Sequence, residues 1–388
     1  MSQKQKFNLR DFQSALPDLA SEARARSSEF EVNRKLSSDF TDKLKHAGAF
    51  KVLIPAEAGG LGASLTEWFE TAVLLAEADA STGWVTAHAN ICAGIIYASG
   101  DPRFRDEFFS NPLACAAWSN LARVEAVEET EGIRITGSWG FESGCTAATF
   151  VGGMVSLSPV SEGAPPRFVA ALAPTREATI EETWDPIGLA GTGSHDVHFR
   201  NVLVPWHRTF EWPAGRARVP LPAAVFVPGA WFIAVGAAAT HLGLARRALD
   251  EARNELRGKT DRYTGRLLLE NPATLRTLEA AEGLWFACRA GIKEALGTIW
   301  QSAQRGEIPT AEMYVNARVA AVTATHRGAE IVRTAYDAAG ASAVRRAGVL
   351  QRLLREASCL THHVSVNQAS YEQTGKVRCG MSKLSFRI

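Results

Sequence analysis

The stretch IRITGSWGFESGC at residues 133–145 decides the fold, because it interrupts the helical pattern on either side of it. Ile133 and Ile135 alternate with Arg134 and Thr136, which is the period-two pattern of a strand with one buried face. Serine and glycine follow directly and indicate a turn. The stretch therefore predicts a β-strand, and with it a β-rich region, in the middle of the chain.

The residues before this stretch have the pattern of helices. Leu36, Phe40, Leu44 and Ala47 recur at helical spacing and form one apolar stripe, which predicts an amphipathic helix. The sequence IPAEAGGLGAS at residues 54–64 contains a proline and three glycines, so it predicts a loop between this helix and the next. The first part of the chain is therefore expected to be helical.

The pattern returns to helices in the last part of the chain. Apolar side chains recur on one face over residues 278–299 and predict a long helix, and the segment 313–336 predicts a second. A last helix is predicted from Val349 through Asn367. We therefore expect an N-terminal helical domain, a central β-domain built as a small barrel or sandwich, and a C-terminal helical domain, at residues 1–112, 113–215 and 216–388.

The order helices, strands, helices excludes several common enzyme folds. Strands inserted between two helical blocks do not fit a doubly wound sheet or an α/β barrel, in which strands and helices alternate. No GxGxxG motif follows a predicted strand, so the sequence also disfavours a dinucleotide-binding fold. The fold class predicted from the pattern is α+β.

The composition narrows the class of partner. Lys and Arg number 42 against 41 Asp and Glu, for a formal net charge of +1, so no nucleic acid or acidic partner is indicated. Six cysteines are scattered without a CxxC pair, which is typical of reduced thiols rather than a disulfide framework or a zinc site. The chain has no secretory h-region at its start and no uninterrupted apolar span. We expect a cytoplasmic enzyme with no metal and no membrane partner.

Several motifs resemble those of the acyl-CoA dehydrogenase superfamily, and the resemblance covers nearly the whole chain. The sequence STGW within residues 76–90 is similar to the reduced-flavin monooxygenase branch of that superfamily. The C-terminal segment resembles the same branch, because an Arg-Asp pair is followed there, eight residues after the arginine, by a histidine. In this chain these positions hold Arg355, Glu356 in place of the aspartate, and His363. Further segments resemble the loop after the early helices and the strands of the family's β-domain: residues 54–64, 135–145 and 188–205.

The resemblance implies a fold and a function. The fold would have an N-terminal helical domain, a central β-barrel and a C-terminal four-helix bundle through which a homotetramer assembles. The function would be that of the oxygenase component of a two-component flavin-dependent monooxygenase, supplied with reduced FMN or FAD by a separate NAD(P)H-dependent flavin reductase. Such an enzyme uses O2, via a C4a-hydroperoxyflavin, to hydroxylate an aromatic small molecule, which we expect to be phenolic or indolic.

Two residues are candidates for catalysis. The resemblance places the hydroxyl of Ser143 near flavin N5, where it would support the oxygen adduct; alternatively, Ser143 only completes the turn before Gly144. His363 is the candidate base that withdraws a proton from the substrate, or that protects or protonates the distal oxygen of the adduct. Its structural alternative is a core histidine bonded to a carbonyl. Because adjacent helix positions point about 100° apart, only one of His362 and His363 is expected to face the pocket.

The resemblance also assigns binding roles to further residues. The expected cofactor-binding residues are Trp84, Trp118, Ser119, Phe141, Ser143, Thr192, Gly193, Ser194 and Arg262. The expected substrate-pocket residues are His88, Trp139 and His362. Each tryptophan is equally suited to an aromatic core, and a Thr-Gly-Ser run is also ordinary turn chemistry. Arg262 is expected where the long helices of two subunits meet.

Three other functions remain open. An N- or S-oxygenase of the same fold would differ in its product. A true acyl-CoA dehydrogenase would use Glu372 as its base, because Tyr371–Gly375 is similar to a Tyr-Glu-Gly-Thr segment of that branch, although Gln373 stands where the pattern has glycine. A helical scaffold without enzymatic activity predicts no flavin binding. His195 and His198 do not suggest a metal site, because their i, i+3 spacing on a strand puts them on opposite faces.

Overall fold

A computed structural model describes residues 7–159, 166–212, 217–226 and 229–382 of the chain. It begins with helices, as predicted: α1 (Leu9–Asn33), α2 (Ser38–His46), α3 (Leu65–Ala78), α4 (Ala80–Ser99) and α5 (Pro102–Ser110). The predicted apolar stripe is buried at Leu36, just before α2, and at Phe40 and Leu44 within α2. The loop predicted at residues 54–64 is confirmed, and it contains only one short 3-10 turn.

The starts of α3 and α4 are fixed by side chains of the sequence. Ser64 and Glu67 form a capping box, in which the Glu67 carboxylate accepts from the Ser64 N–H at 2.7 Å and Ser64 Oγ accepts from the Glu67 N–H at 3.2 Å. The buried Asp79 carboxylate accepts from the N–H of Thr82 at 2.7 Å. Almost every residue of α4 is buried, so this helix runs through the core and positions side chains with little freedom.

Two antiparallel sheets follow the first helices. Their strands are β1 (Leu121–Glu128), β2 (Gly132–Glu142), β3 (Phe150–Leu157), β4 (Arg167–Pro174), β5 (Thr179–Glu181), β6 (His195–Pro205) and β7 (Thr209–Glu211). One sheet has the order β1–β2–β6–β5 and the other β3–β4–β7. The strand predicted from Ile133 and Ile135 is confirmed, since both side chains are fully buried in β2.

The prediction of a closed β-barrel is wrong. Closure requires a continuous ring of paired strands, whereas in the described residues no strand of the first sheet is paired through its backbone with a strand of the second. The strands β5 and β7 have three residues each, which is too short to connect the two sheets. Side chains of both sheets instead share one apolar core, which includes Trp139, Val151, Ala171 and Phe199.

The last part of the chain is helical, as predicted. Its helices are α6 (Gly229–Leu256), α7 (Pro272–Gln304), α8 (Ala311–Ala339), α9 (Val349–Leu360) and α10 (Ala369–Arg378). α8 packs against α6, α7 and α9, and α6 also packs against α3 and α4. One large apolar core therefore extends from the first helices to the last ones, and the two helical parts are not separate bodies.

The last predicted helix is shorter than expected. α9 ends at Leu360, and the chain then turns into a 3-10 segment at Val364–Val366 instead of continuing to Asn367. The side chain of His363 accepts a hydrogen bond from the N–H of Ser365 at 3.2 Å. His363 thus caps the start of this 3-10 turn, as an N-cap residue does at the start of a helix. His362 and His363 therefore lie outside regular helix.

Two further features bear on the predictions. The predicted domain boundary after residue 112 falls between α5 and β1, and the boundary after residue 215 lies outside the described residues, so the division into domains stays a prediction.

In the described ranges no helix has both the length and the apolar character needed to cross a membrane.

Candidate functional site

One cavity of about 380 Å³ lies where the helical core meets the sheets. This volume falls in the usual range for small-molecule sites. Its walls come from α4, the segment before β1, the end of β2, the loop before β6, α6 and the turn after α9. Of the residues predicted for the site, those that line the cavity are Trp84, His88, Trp118, Ser119, Phe141, Ser143, Thr192, Ser194, His362 and His363.

Buried hydroxyls form the polar side of the cavity. Ser143 Oγ accepts a hydrogen bond from the indole nitrogen of Trp84 at 2.9 Å and lies 2.7 Å from Ser194 Oγ. Ser194 Oγ in turn lies 2.7 Å from Thr192 Oγ1, which donates to the carbonyl of Leu189 at 2.8 Å. The sequence predicted these hydroxyls individually, and the structure brings them into one connected row.

A tight turn at the end of β2 places Ser143 in the cavity. Phe141 has a positive φ of 59°, which is unusual for a residue other than glycine, and the Ser143 N–H donates to the Phe141 carbonyl at 3.1 Å. Gly144 has a φ of 78°, and its N–H donates to the Thr192 carbonyl at 2.9 Å. The turn directs Phe141 to the mouth of the cavity, where it is 61% exposed, and Ser143 to the interior.

His363 lies beside Trp84 on another wall of the cavity. The two rings meet edge-on, with centroids 5.5 Å apart. Nδ1 of His363 lies 2.7 Å from Ser365 Oγ and accepts from the backbone N–H of Ser365. Burial lowers the pKa of His363 to about 4, so the ring is neutral at pH 7. Because Nδ1 is an acceptor here, the hydrogen of the neutral ring lies on Nε2.

The expectation that only one of the two adjacent histidines faces the pocket is wrong. It assumed helical geometry, whereas the chain turns after Leu360, so His362 and His363 both line the cavity. His362 is exposed and His363 is half-buried. The more exposed position makes His362 part of the entrance.

His88 is the third histidine of the cavity. It follows Trp84 by one turn of α4, and the two rings stack with centroids 5.9 Å apart. Burial, together with repulsion from His363, lowers the pKa of His88 to about 4. The imidazoles of His88 and His363 are therefore both neutral at pH 7 and can act only as hydrogen-bond partners there.

Several lining residues were not predicted. They are Asn120, Leu121, Trp184, Leu189, Ile233, Cys359, Leu360 and Val364. Asn120 is notable among them, because its buried Oδ1 has no hydrogen-bond partner among the described residues. A buried acceptor without a partner in a cavity is available to a ligand or a water molecule that donates to it. The only sequence signal was its position directly after Trp118 and Ser119.

The lining fits a flat aromatic ring with a polar edge. Trp84, Trp118 and Ile233 supply buried apolar surface, while the hydroxyl row and Asn120 supply a few directed polar groups. Such a combination is typical of cofactor sites. The residues present therefore fit a flavin ring.

Trp139 does not line the cavity, so its predicted place in the substrate pocket is wrong. Its indole is fully buried between the sheets, meets Phe199 edge-on at 4.9 Å and donates to the Met154 carbonyl at 2.9 Å. The register of β2 against β6 shifts between Trp139 and Glu142. This irregularity separates Trp139, which faces the sheet core, from Ser143, which faces the cavity.

Three other candidate residues also lie outside the cavity. Gly193 has a φ of 53°, and a side chain added there would meet Lys35 and Thr146. Arg262 is exposed in the connection after α6, and it does not reach the cavity of its own chain. Glu372 is exposed on α10 and forms an ion pair with Lys376, so it cannot be the base of a reaction in this cavity.

The described residues contain no group of three or more His, Cys, Asp or Glu side chains placed to hold a metal ion. His195 and His198 lie on β6 and face opposite sides, as predicted. His195 is fully buried, and its Nδ1 accepts from the N–H of Trp184 at 3.2 Å. It therefore supports the loop next to the cavity.

Comparisons with known proteins match nearly the whole chain. Residues 9–114 match the family model for the N-terminal domain of acyl-CoA dehydrogenase, and residues 235–368 match the model for its C-terminal domain. The oxygenase subunit HsaA of a flavin-dependent monooxygenase from Mycobacterium tuberculosis is 31% identical over 364 residues, which is 90% of each chain. The chain belongs to the flavin-dependent monooxygenases of the acyl-CoA dehydrogenase family.

Other members of this family are similar along their full length. The indole-3-acetate monooxygenase of Pseudomonas putida is 28% identical over 363 residues, which cover 93% of this chain and 92% of that protein. A solved complex of TdsC from Paenibacillus sp. A11-2 with FMN and indole has a TM-score of 0.84 at 22% identity, covering 97% of this chain and 99% of the other. The predicted acyl-CoA dehydrogenase-like fold, apart from the closed barrel, and the predicted monooxygenase class are confirmed.

Proposed function

We propose that this chain is the oxygenase component of a two-component monooxygenase, which uses reduced FMN or FAD and O2 to hydroxylate an uncharged aromatic molecule. One observation carries the proposal. A single cavity with apolar walls brings the hydroxyl of Ser143 and the imidazole of His363 into contact with the same indole, that of Trp84.

The bound flavin supplies two electrons, so that one oxygen atom of O2 is reduced to water while the other is transferred to the substrate. The chain would hold the ring between the apolar side chains of Trp84, Trp118 and Ile233. Asn120 would accept from a polar edge of the ring, and Ser143 would bind the reactive edge. The protein thus contributes position and the exclusion of water.

His363 fits a hydrogen-bond donor better than a general base. A base needs a nitrogen lone pair that faces the substrate, and a pKa near the working pH. The lone pair of Nδ1 is occupied by Ser365, and burial lowers the pKa of His363 to about 4. We therefore propose that Nε2–H donates to an oxygen atom in the cavity, which retains the second role predicted for His363 and replaces the first.

The lining favours a substrate without a charge. Among the described residues, no acid, lysine or arginine side chain lines the cavity. A carboxylate placed there would lose its hydration without gaining a cation as partner. A phenol or an indole can instead stack on the tryptophans and donate one hydrogen bond.

The experiment that tests this function combines the purified chain with a flavin reductase, NADH, FMN or FAD, and a panel of substrates under 18O2. Incorporation of one 18O atom into phenol or indole, with little into indole-3-acetate, is the expected result. Incorporation at nitrogen or sulfur would favour an N- or S-oxygenase instead. Oxidation of an acyl thioester without 18O incorporation, or no flavin binding, would contradict the proposal.

Assembly and partners belong to the same proposal. The helix α7 exposes Phe286 to 66%, and one turn earlier a side chain added at Gly283 would meet no atom of the described residues within 4 Å. An open face on a long helix is suited to packing against a second copy of the chain. We propose a homotetramer in the cytoplasm, in which Arg262 reaches a neighbouring copy, and sedimentation of the purified chain tests the tetramer.

A further inference from the structure

The three buried hydroxyls beside the cavity are connected end to end. Ser143 Oγ lies 2.7 Å from Ser194 Oγ, and Ser194 Oγ lies 2.7 Å from Thr192 Oγ1. The row ends at the carbonyl oxygen of Leu189, 2.8 Å from Thr192 Oγ1. All three hydroxyl residues are at most 9% exposed, so water does not compete freely for these positions.

The end of the row fixes the direction of every hydrogen bond in it. A carbonyl oxygen can only accept, so the single hydrogen of the Thr192 hydroxyl is donated to Leu189. Thr192 Oγ1 must then accept from Ser194, and the hydrogen of Ser194 is used in that bond. Ser194 can therefore only accept from Ser143, which uses the hydrogen of Ser143 as well.

Trp84 completes the assignment from the other side. An indole N–H can only donate, and that of Trp84 donates to Ser143 Oγ at 2.9 Å. Ser143 thus donates once, to Ser194, and accepts once, from Trp84. One lone pair remains on Ser143 Oγ, and this residue lines the cavity as an acceptor with no hydrogen left to give.

We propose that Thr192 and Ser194 are positioning residues, which fix the hydroxyl of Ser143 as a hydrogen-bond acceptor and so make the site select reduced over oxidised flavin. The inference rests on the proposed function, because it requires the flavin ring to bind in this cavity. N5 of a reduced flavin carries a hydrogen and can donate to Ser143. N5 of an oxidised flavin is itself an acceptor, so two lone pairs would face each other.

This inference changes the role predicted for two residues. The sequence assigned Thr192 and Ser194 to direct cofactor binding. Their hydroxyl hydrogens are instead used inside the protein, in the bonds that order Ser143. Their effect on the flavin is therefore expected to pass through Ser143.

The decisive substitution is Thr192→Val, because valine has nearly the shape of threonine without its hydroxyl. The Leu189 carbonyl stays satisfied in this variant, since it also accepts from the indole of Trp184 at 3.0 Å and from the N–H of residue 192 at 3.2 Å. Ser194 loses its acceptor and turns its hydrogen to Ser143. Ser143 then accepts twice, and its own hydrogen faces the cavity as a donor.

Thr192→Ser is the matched control, because it keeps the hydroxyl and hence the direction of the row. Ser194→Ala is a second route to the same reversal, since it removes the acceptor to which Ser143 donates. Thermal unfolding followed by circular dichroism identifies any variant that does not fold. Thr192→Val and Ser194→Ala are the two disrupting variants, and the test uses each of them that folds.

The measurement is the dissociation constant for FMN in its oxidised form and, under anaerobic conditions, in its reduced form. We expect the wild type and Thr192→Ser to share one preference for the reduced form. We expect Thr192→Val and Ser194→Ala to lower that preference roughly tenfold, which corresponds to one neutral hydrogen bond. An unchanged preference in a folded disrupting variant would overturn the inference while leaving the proposed function intact. Failure of the wild type to bind either form of FMN or FAD would contradict the proposed function itself.

Discussion

The indole of Trp84 meets the imidazole of His363 edge-on, with centroids 5.5 Å apart and ring planes inclined by 66°. The same indole donates a hydrogen bond to Ser143. Trp84 lies on α4, Ser143 at the end of β2 and His363 beyond α9, so one side chain connects three parts of the chain that are distant in sequence. The apolar ring of Trp84 packs against His363, and its polar N–H binds Ser143.

Replacing Trp84 by phenylalanine separates these two uses. The aromatic ring remains beside His363, but Ser143 loses its donor. We expect a free energy of unfolding lower by about 1–3 kcal/mol and weaker flavin binding. Trp231→Phe is the matched control, because that indole is equally buried in α6 but has no hydrogen-bond partner among the described residues. Equal losses of flavin affinity in both variants would show that the bond to Ser143 does not matter.

Ser143→Ala removes the polar contact proposed for the reactive edge of the flavin. Trp84 Nε1 is then left buried without a partner, which costs about 1–3 kcal/mol of stability. We expect the ratio of hydrogen peroxide to hydroxylated product to rise roughly tenfold, as for the loss of one hydrogen bond in the reacting complex. Ser138→Ala, on β2 shortly before Ser143 but outside the cavity, should leave that ratio unchanged. A wild-type ratio in Ser143→Ala would remove this residue from the mechanism.

His363 should remain neutral over the whole working range of pH. Its pKa is lowered to about 4 by burial, below the 6.5 of an exposed histidine, so the unfolded chain binds the proton more readily. The free energy of unfolding is therefore expected to fall as the pH decreases from about 6.5 to 4. An NMR titration tests this directly, since the imidazole signal lost in His363→Asn, and retained in His362→Asn, should titrate near 4. A midpoint near 6.5 would restore the base mechanism.

Lys51 provides a test of buried charge away from the cavity. Lys51 is 2% exposed, and its ammonium group donates to the Asn111 carbonyl at 2.8 Å and lies 5.8 and 5.6 Å from the ring centroids of Phe108 and Phe109. Burial lowers its pKa to about 8, below the 10.5 of an exposed lysine. The unfolded chain therefore binds more protons between these values, and the free energy of unfolding should rise with pH there, by about 3 kcal/mol at most.

Denaturant unfolding between pH 8 and 10.5 measures the contribution of Lys51. Lys51→Met should remove the rise, whereas Lys376→Met, at an exposed position on α10, should retain it. Identical pH profiles for wild type and Lys51→Met would mean that the buried amine does not titrate in this range.

Most of the fold could be predicted from the sequence because its apolar residues recur regularly at helical or strand spacing. The stripe at Leu36, Phe40 and Leu44 and the alternation at Ile133 and Ile135 both mark positions that the structure buries. The pattern of short strands left a barrel and a sandwich both open, and the resemblance favoured the closed barrel. Whether two sheets join at their edges depends on pairing between distant strands, and no local pattern reports that.

The candidate site was predicted less well than the fold. Ser143 and His363 were expected in one cleft, and both line the cavity. Trp139 was predicted in the substrate pocket but lies in the core between the sheets. The register of β2 shifts after Trp139, and the alternation of apolar and polar residues does not show such a shift. The end of α9 was missed, since no glycine or proline marks it, and the side chain of His363 itself stabilises the turn.

The walls of the cavity come from segments as far apart in the chain as α4, the strand β2 and the turn after α9. A molecule lodged among them touches all of these segments at once, and none of them can leave without breaking its contacts with the others. A ligand present at one hundred times its dissociation constant should then raise the free energy of unfolding by about 2.7 kcal/mol. The melting temperature of this chain should therefore rise and fall with the local concentration of reduced flavin. Because the reductase produces the reduced flavin, its activity should be visible as a change in that melting temperature.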